Sequence, residues 1–223
     1  MPNQRANPKP RKPFILWLGL DFGTTTSSIS WTMRAKTCFE PRDLTTEFGT
    51  IKRIDEWPDG DHLVVPTVSY YDVDSDEHHW GHQVQRGIDN LTIDVDALVI
   101  RSAKFGLHEA PETLSIRERL ARAAQMLGVE VDDFNKDYLQ AMSRWAEREG
   151  GPLQKSLGKA IYAACELRYV LGVPPAWSDT EIQRFAQIAS SAGIRDPSLV
   201  SEPEAAAIVA LGQNSALGLN VSC

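Results

Sequence analysis

Cysteine is scarce: the 223 residues hold three, Cys38, Cys165 and Cys223, and none forms a Cys-x-x-Cys pair. That pattern excludes a disulfide scaffold and a paired-thiolate metal or redox site, and it predicts a reduced, cytosolic setting. Cys165 stands among Ala163, Ala164 and Leu167 and reads as a small buried hydrophobe. No apolar run approaches the length that crosses a bilayer, and the run that starts at Phe14 leads into Asp21 rather than a cleavage site. The expectation is a cytoplasmic chain with no membrane partner. Positive charge is also short. Net charge is −7, and because Arg5, Lys9, Arg11 and Lys12 lie at the start, the remainder carries about −11. A nucleic-acid surface needs the opposite balance, so no nucleic-acid partner is expected. The basic, Pro-rich residues 1–13 predict a disordered tail. Lys9-Pro10-Arg11-Lys12 leaves the nucleus open as an alternative location.

What is present is concentrated at Leu20-Asp21-Phe22-Gly23-Thr24-Thr25-Thr26-Ser27. Phe14 to Leu20 is almost wholly apolar, as a strand buried on both faces would be. It delivers a carboxylate, a glycine and a run of hydroxyls into a tight turn. Gly23 permits a sharp turn or close approach to an anion. The amides and hydroxyls of Thr24, Thr25 and Thr26 are donors suited to phosphate oxygens. Asp21 is suited to hold Mg²⁺ through its water shell. The same residues also make a good structural turn.

Further along, Ile51–Trp57 and Leu63–Tyr71 read as strands around the turn Pro58-Asp59-Gly60-Asp61. Helices are expected over Asp96–Leu107, Ile116–Leu127 and Asp132 to about Glu149. The last has Phe134, Tyr138, Leu139, Met142 and Trp145 on one face, a core stripe rather than a partner groove. Leu167–Val173 reads as a buried strand closed by Pro174-Pro175. Ser178-Asp179-Thr180-Glu181 is a capping box whose helix turns Ile182, Phe185, Ile188 and Ala192 inward and ends at Gly193. Ser198–Ser201 makes a short strand, and Pro203 sits at a favourable first helical position before Glu204–Leu211. Alternating strands and helices in this half predict an α/β sheet.

Two blocks, Val170-Leu171-Gly172-Val173-Pro174-Pro175-Ala176-Trp177-Ser178-Asp179 and Leu199-Val200-Ser201-Glu202-Pro203-Glu204-Ala205-Ala206-Ala207-Ile208, join the opening motif in a fixed order. Together they resemble the nucleotide-binding domain of DnaK-type heat-shock chaperones, nearest the divergent fungal-type heat-shock-like ATPases. The resemblance spans Phe14 to Leu211 and is loose between Arg34 and Glu130. It implies the first lobe of the actin-like ATPase (ribonuclease H-like) fold. The sheet subdomain would be 14–36 plus 129–211, with an inserted α+β subdomain at 37–128 and an irregular end at 212–223. It implies ATP or ADP with Mg²⁺ as cofactors, and nucleotide, co-chaperones or client proteins as partners. Asp21 would contact Mg²⁺ through water, and Gly23, Thr24, Thr25 and Thr26 would cradle phosphates. Lys104 would reach the γ-phosphate, and Glu202 would position the attacking water, hydrolysing ATP to ADP and phosphate. Pro174 resembles the proline that couples nucleotide state to a partner domain.

Departures from that pattern narrow the expectation. The family's second phosphate motif, an aspartate followed by three glycines and a threonine, does not follow the Glu-Pro block. Residues 213–223 carry no such signal. The expectation is a truncated or diverged member, cut before the second lobe, with impaired hydrolysis. Ile182 stands where chaperones carry a polar contact to their partner domain. Two other readings stay open: a non-catalytic binding module of the same fold, and a carbohydrate kinase relative that shares Asp-x-Gly-Thr-Thr-Ser. His78, His79 and His82 suggest zinc but lack a second ligand cluster, so a polar turn into Trp80-Gly81 is the preferred account. Ser27, Ser69 and Ser201 lack the glycine-rich elbow of a nucleophile.

Overall fold

The structure is a computed structural model and describes residues 12–36, 51–75, 77–94 and 98–205. The expected tail at 1–13 lies almost wholly outside the described residues. So do the end at 212–223, Cys38, Cys223 and most of the expected helix after Pro203.

At the centre is β1 (Phe14–Phe22), whose Leu16, Leu18, Leu20 and Phe22 are buried on one face. It turns back into β2 (Thr26–Ala35), pairing antiparallel from Phe14↔Ala35 to Phe22↔Ser27. Three short pieces follow: β3 (Lys52–Arg53), β4 (Glu56–Trp57) and β5 (Gly60–Asp61). The last two form a hairpin in which Asp59 takes a left-handed φ of 70°, a conformation that suits aspartate in a turn. Next come β6 (Val65–Pro66), β7 (Val68–Asp72), β8 (Glu77–Trp80), the helix α1 (His82–Asp89) and β9 (Val99–Arg101). Strands β8, β7 and β9 make a separate antiparallel sheet. The expected pair of longer strands at 51–71 is thus broken into pieces shared among three sheets.

The single helix expected over Asp96–Leu107 does not form. Val99 and Ile100 pair with Tyr70 and Ser69 as a strand, and Ala103–Leu107 closes into a 3₁₀ turn. Strand pairing by an apolar, β-branched segment outweighs its helical spacing here. A second 3₁₀ turn, Pro111–Thr113, leads into α2 (Leu114–Leu127). Helix α3 (Val131–Glu147) buries Phe134, Tyr138, Leu139, Met142 and Ala146, and the half-buried Trp145 donates its Nε1 hydrogen to the Glu56 carbonyl at 2.9 Å. Two short helices, α4 (Pro152–Leu157) and α5 (Lys159–Ala163), precede β10 (Cys165–Val173). Then come α6 (Asp179–Ser191) and β11 (Ser198–Ser201).

The main sheet runs β11-β10-β1-β2-β3, with β6 also pairing to β2. Strands β1, β10 and β11 are mutually parallel, and β2 opposes them. The result is a mixed α/β fold with a mixed sheet. Among the described residues are six complete α-helices, and residues 202–205 open a further helical turn. No helix of the described residues is long and apolar enough to cross a membrane. Helices α3 and α6 pack on the face that carries Leu16, Leu18, Leu20 and Phe22, with Phe22 stacked on Phe185 and tilted against Tyr138. A smaller cluster of Ile100, Ala103, Leu120, Ala124 and Phe134 lies beneath α2 and the three-stranded sheet. The 3₁₀ turn at 103–107 touches both clusters, since Ala103 belongs to the small one and Leu107 to the large one.

Candidate functional site

Parallel strands deliver their carboxyl ends to one edge of a sheet, and there ligands of open α/β folds gather. At that edge β1 ends in Asp21-Phe22 and β11 ends in Ser201, with Glu202 directly after it. The turn after β1 is very tight. A Cβ on Gly23 would lie 2.2 Å from the carbonyl oxygen of Thr26, so only glycine fits without moving backbone. Thr25 and Thr26 are exposed, and Gly23 and Thr24 are half-exposed. The turn is held from behind. The Thr67 amide donates to the Thr25 carbonyl at 2.8 Å, and the hydroxyls of buried Ser27 and Thr67 are 2.7 Å apart. Tyr138 of α3 donates to the Pro66 carbonyl next door at 2.8 Å.

Lys104 enters from the 3₁₀ turn. Its side chain is 5 % exposed, and its Nζ donates to Glu202 Oε1 at 3.0 Å. The same ammonium lies 5.4 Å from the ring centroid of Trp177, which is itself buried and packed edge-on against Phe185. A buried lysine needs such partners, because an unpaired ammonium away from water is costly. Glu202 remains 45 % exposed and covers Gly172, where a Cβ would meet Glu202 Cγ at 3.5 Å.

Asp21 belongs to the same electrostatic cluster. Its carboxyl is held above the usual carboxylate range, first by partial burial. Lys104 pulls it down, Glu202 pushes it up, and Arg53 of β3 pulls it down again. Arg53 pairs in register with Ser30, two positions along β2 from the Ser28 that faces Asp21. The edge therefore holds two carboxylates, a buried ammonium and a guanidinium, above a turn of amides and hydroxyls. Such a set suits a metal-bound polyphosphate: hard oxygens for a hydrated divalent cation, cations and donors for phosphate.

No protein-family model matches this chain, and no curated protein matches it either. The site therefore rests on its own geometry. Asp21, Lys104 and Glu202, drawn from three distant segments of the chain, are brought together. Gly23, Thr24, Thr25 and Thr26 form the turn beside them. Pro174, in the loop after β10, accepts the Trp177 amide at 3.2 Å.

Four contributors had no reading as site residues in the sequence. Arg53 lies in a two-residue strand without pattern. Thr67 lies between strands. Trp177 stands within the Val170–Asp179 block, but its place under an ammonium has no local signature. Glu181 showed half of its role: with Ser178 it caps α6, as the Ser-x-x-Glu spacing predicts. Its other contacts, to His108 and Glu109, come from a segment far off in sequence. The histidines of 78–82 do not converge. His78 stacks on Tyr71, His79 on Tyr70 and His82 against His62, and no cluster of three or more metal-ligating residues occurs among the described residues.

Proposed function

We propose that this chain binds a Mg-nucleotide, as an ATP-binding lobe of the actin-like ATPase kind resembling DnaK-type heat-shock chaperones. The observation that carries the reading is the meeting of Lys104 and Glu202 at 3.0 Å, with Asp21 in electrostatic reach of both. The order β3-β2-β1-β10-β11, with β2 alone antiparallel among the central strands, supports a ribonuclease H-like sheet.

In this reading Asp21 would hold Mg²⁺ through the ion's water shell. Once bound there, such an ion would supply positive charge to offset that of the phosphate. Amides and hydroxyls of Gly23 to Thr26 bind phosphate. Lys104 turns its ammonium from Glu202 to the transferring phosphoryl group, where a fixed cation stabilises charge in the transition state. Glu202, released from that pair, orients the attacking water.

Titration calorimetry of the full chain with Mg-ATP tests this. The expected result is Mg-dependent binding on the order of micromolar, abolished in Asp21→Asn. ADP release should not depend on added sugar. Binding that persists unchanged in Asp21→Asn, or no binding at all, would sink the proposal. Sugar-dependent ADP release would transfer it to the kinases of the same superfamily.

A further inference from the structure

Glu181 has 8 % of its surface exposed, yet its carboxylate takes hydrogen bonds from two parts of the molecule. Oε2 accepts the Ser178 amide at 2.6 Å and the Ser178 hydroxyl at 2.8 Å, which is the helix cap. Oε1 takes no part in the cap. It accepts the Glu109 amide at 2.8 Å and faces His108 Nδ1 at 2.9 Å. Because an ionised carboxylate only accepts, Nδ1 is the donor. A cap alone would leave Oε1 to water.

What Oε1 holds is the segment directly after the turn that carries Lys104. That segment has little freedom of its own. The Thr113 hydroxyl lies 2.7 Å from the His108 carbonyl and 2.8 Å from the Ala110 carbonyl. The front of the turn is tied as well, since fully buried Asn135 of α3 donates Nδ2 to the Ala103 carbonyl at 3.2 Å. On the other side, Ser178 directly follows Trp177, the ring beneath the Lys104 ammonium. Lys104 itself and the Trp177 ring beneath it thus each lie within a few residues of a segment that this one carboxylate binds.

We infer that Glu181 is a positioning residue: it clasps the His108–Glu109 segment to the cap of α6 and so sets Lys104 over Trp177 and against Glu202. The consequence for nucleotide chemistry rests on the reading of Lys104 proposed above, but the clasp does not. Losing it frees the Lys104 turn to move away from the sheet edge while the helix and core persist.

The test separates clasp from cap and needs no nucleotide. Full-length protein is treated with an amine-acylating reagent, and Lys104 modification is followed by mass spectrometry relative to Lys159, whose side chain is 76 % exposed. In wild type Lys104 reacts slowly. Glu181→Ala and His108→Ala should speed it roughly tenfold, the factor that loss of a hydrogen bond to a charged group supplies. Ser178→Ala, which removes the cap hydroxyl and leaves Oε1 in place, should stay within about twofold. Equal acceleration in Ser178→Ala means fraying of α6, and no acceleration in Glu181→Ala and His108→Ala alike means no clasp; either overturns the inference. His108→Ala carries the test if Glu181→Ala fails to fold. With Mg-ATP, His108→Ala should lower kcat more than it raises KM. If wild type binds no nucleotide, the proposed function fails while the labelling result still stands.

Discussion

Acid should weaken this molecule through Glu181, and the size of the effect follows from its surroundings. Burial alone would raise the Glu181 carboxyl, but the Ser178 and Glu109 amides, His108 and the Ser178 hydroxyl outweigh it and bring the pKa from 4.5 to about 2. A carboxylate depressed in the folded state contributes stability that is fully present above its unfolded value. That stability is lost as pH falls through the folded value. The window is therefore 4.5 down to about 2. The whole shift corresponds to at most about 3 kcal/mol, of which about 1.4 kcal/mol is gone by about pH 3.5. Glu181→Gln removes the titration and keeps the size. Urea unfolding of wild type and Glu181→Gln is compared at about pH 5.5 and 3.5; other carboxylates titrate in both proteins and cancel. The stability gap should narrow by about 1.4 kcal/mol at the lower pH. A gap that stays level across that interval refutes the argument that Glu181 is held ionised by its four donors.

Two further outcomes follow from the geometry. Gly23→Ala forces a Cβ to within 2.2 Å of a backbone oxygen. It should cost at least about 2 kcal/mol and lower Tm by about 5 °C. Calorimetric scanning checks it, and an unchanged Tm would mean the turn has another conformation. Tyr138→Phe removes the 2.8 Å bond to the Pro66 carbonyl behind the Gly23 turn. It should lower stability by about 1 kcal/mol, seen as a shifted urea midpoint with the slope preserved. A midpoint equal to wild type would count against that bond.

Local signals were legible and remote ones were not. The stripe from Phe134 to Met142 and the Ser178–Glu181 box depend on neighbours three or four positions away, and α3 and α6 form where that spacing predicts. Ser198–Ser201 forms the strand β11 with the bounds its residues suggest. The 96–107 segment carries helical spacing, but the fate of Val99–Arg101 within it is decided by β7, a partner some distance off in sequence. At the site, Asp21 and its glycine announce a turn on their own. Lys104 does not: a lysine on a short turn is indistinguishable in sequence from a solvated one. Its burial comes from Trp177 and Glu202, which no local pattern joins to it. Glu181 lies between the two cases, half visible as a cap and half hidden as a clasp.

The parallel pairing of β1 with β10 also decides the order in which this chain can fold. Phe14 finds Cys165 only after about 150 intervening residues have been made, a loop whose closure slows folding. During synthesis β1 and β2 are both made well before α3 and β10, so a hairpin between them would leave Leu16, Leu18, Leu20 and Phe22 uncovered. Until α3 and β10 emerge, that strand offers a sticky face and an open edge to other chains. Production at low temperature, or with a holdase present, should therefore raise soluble yield more than any change near the finished site.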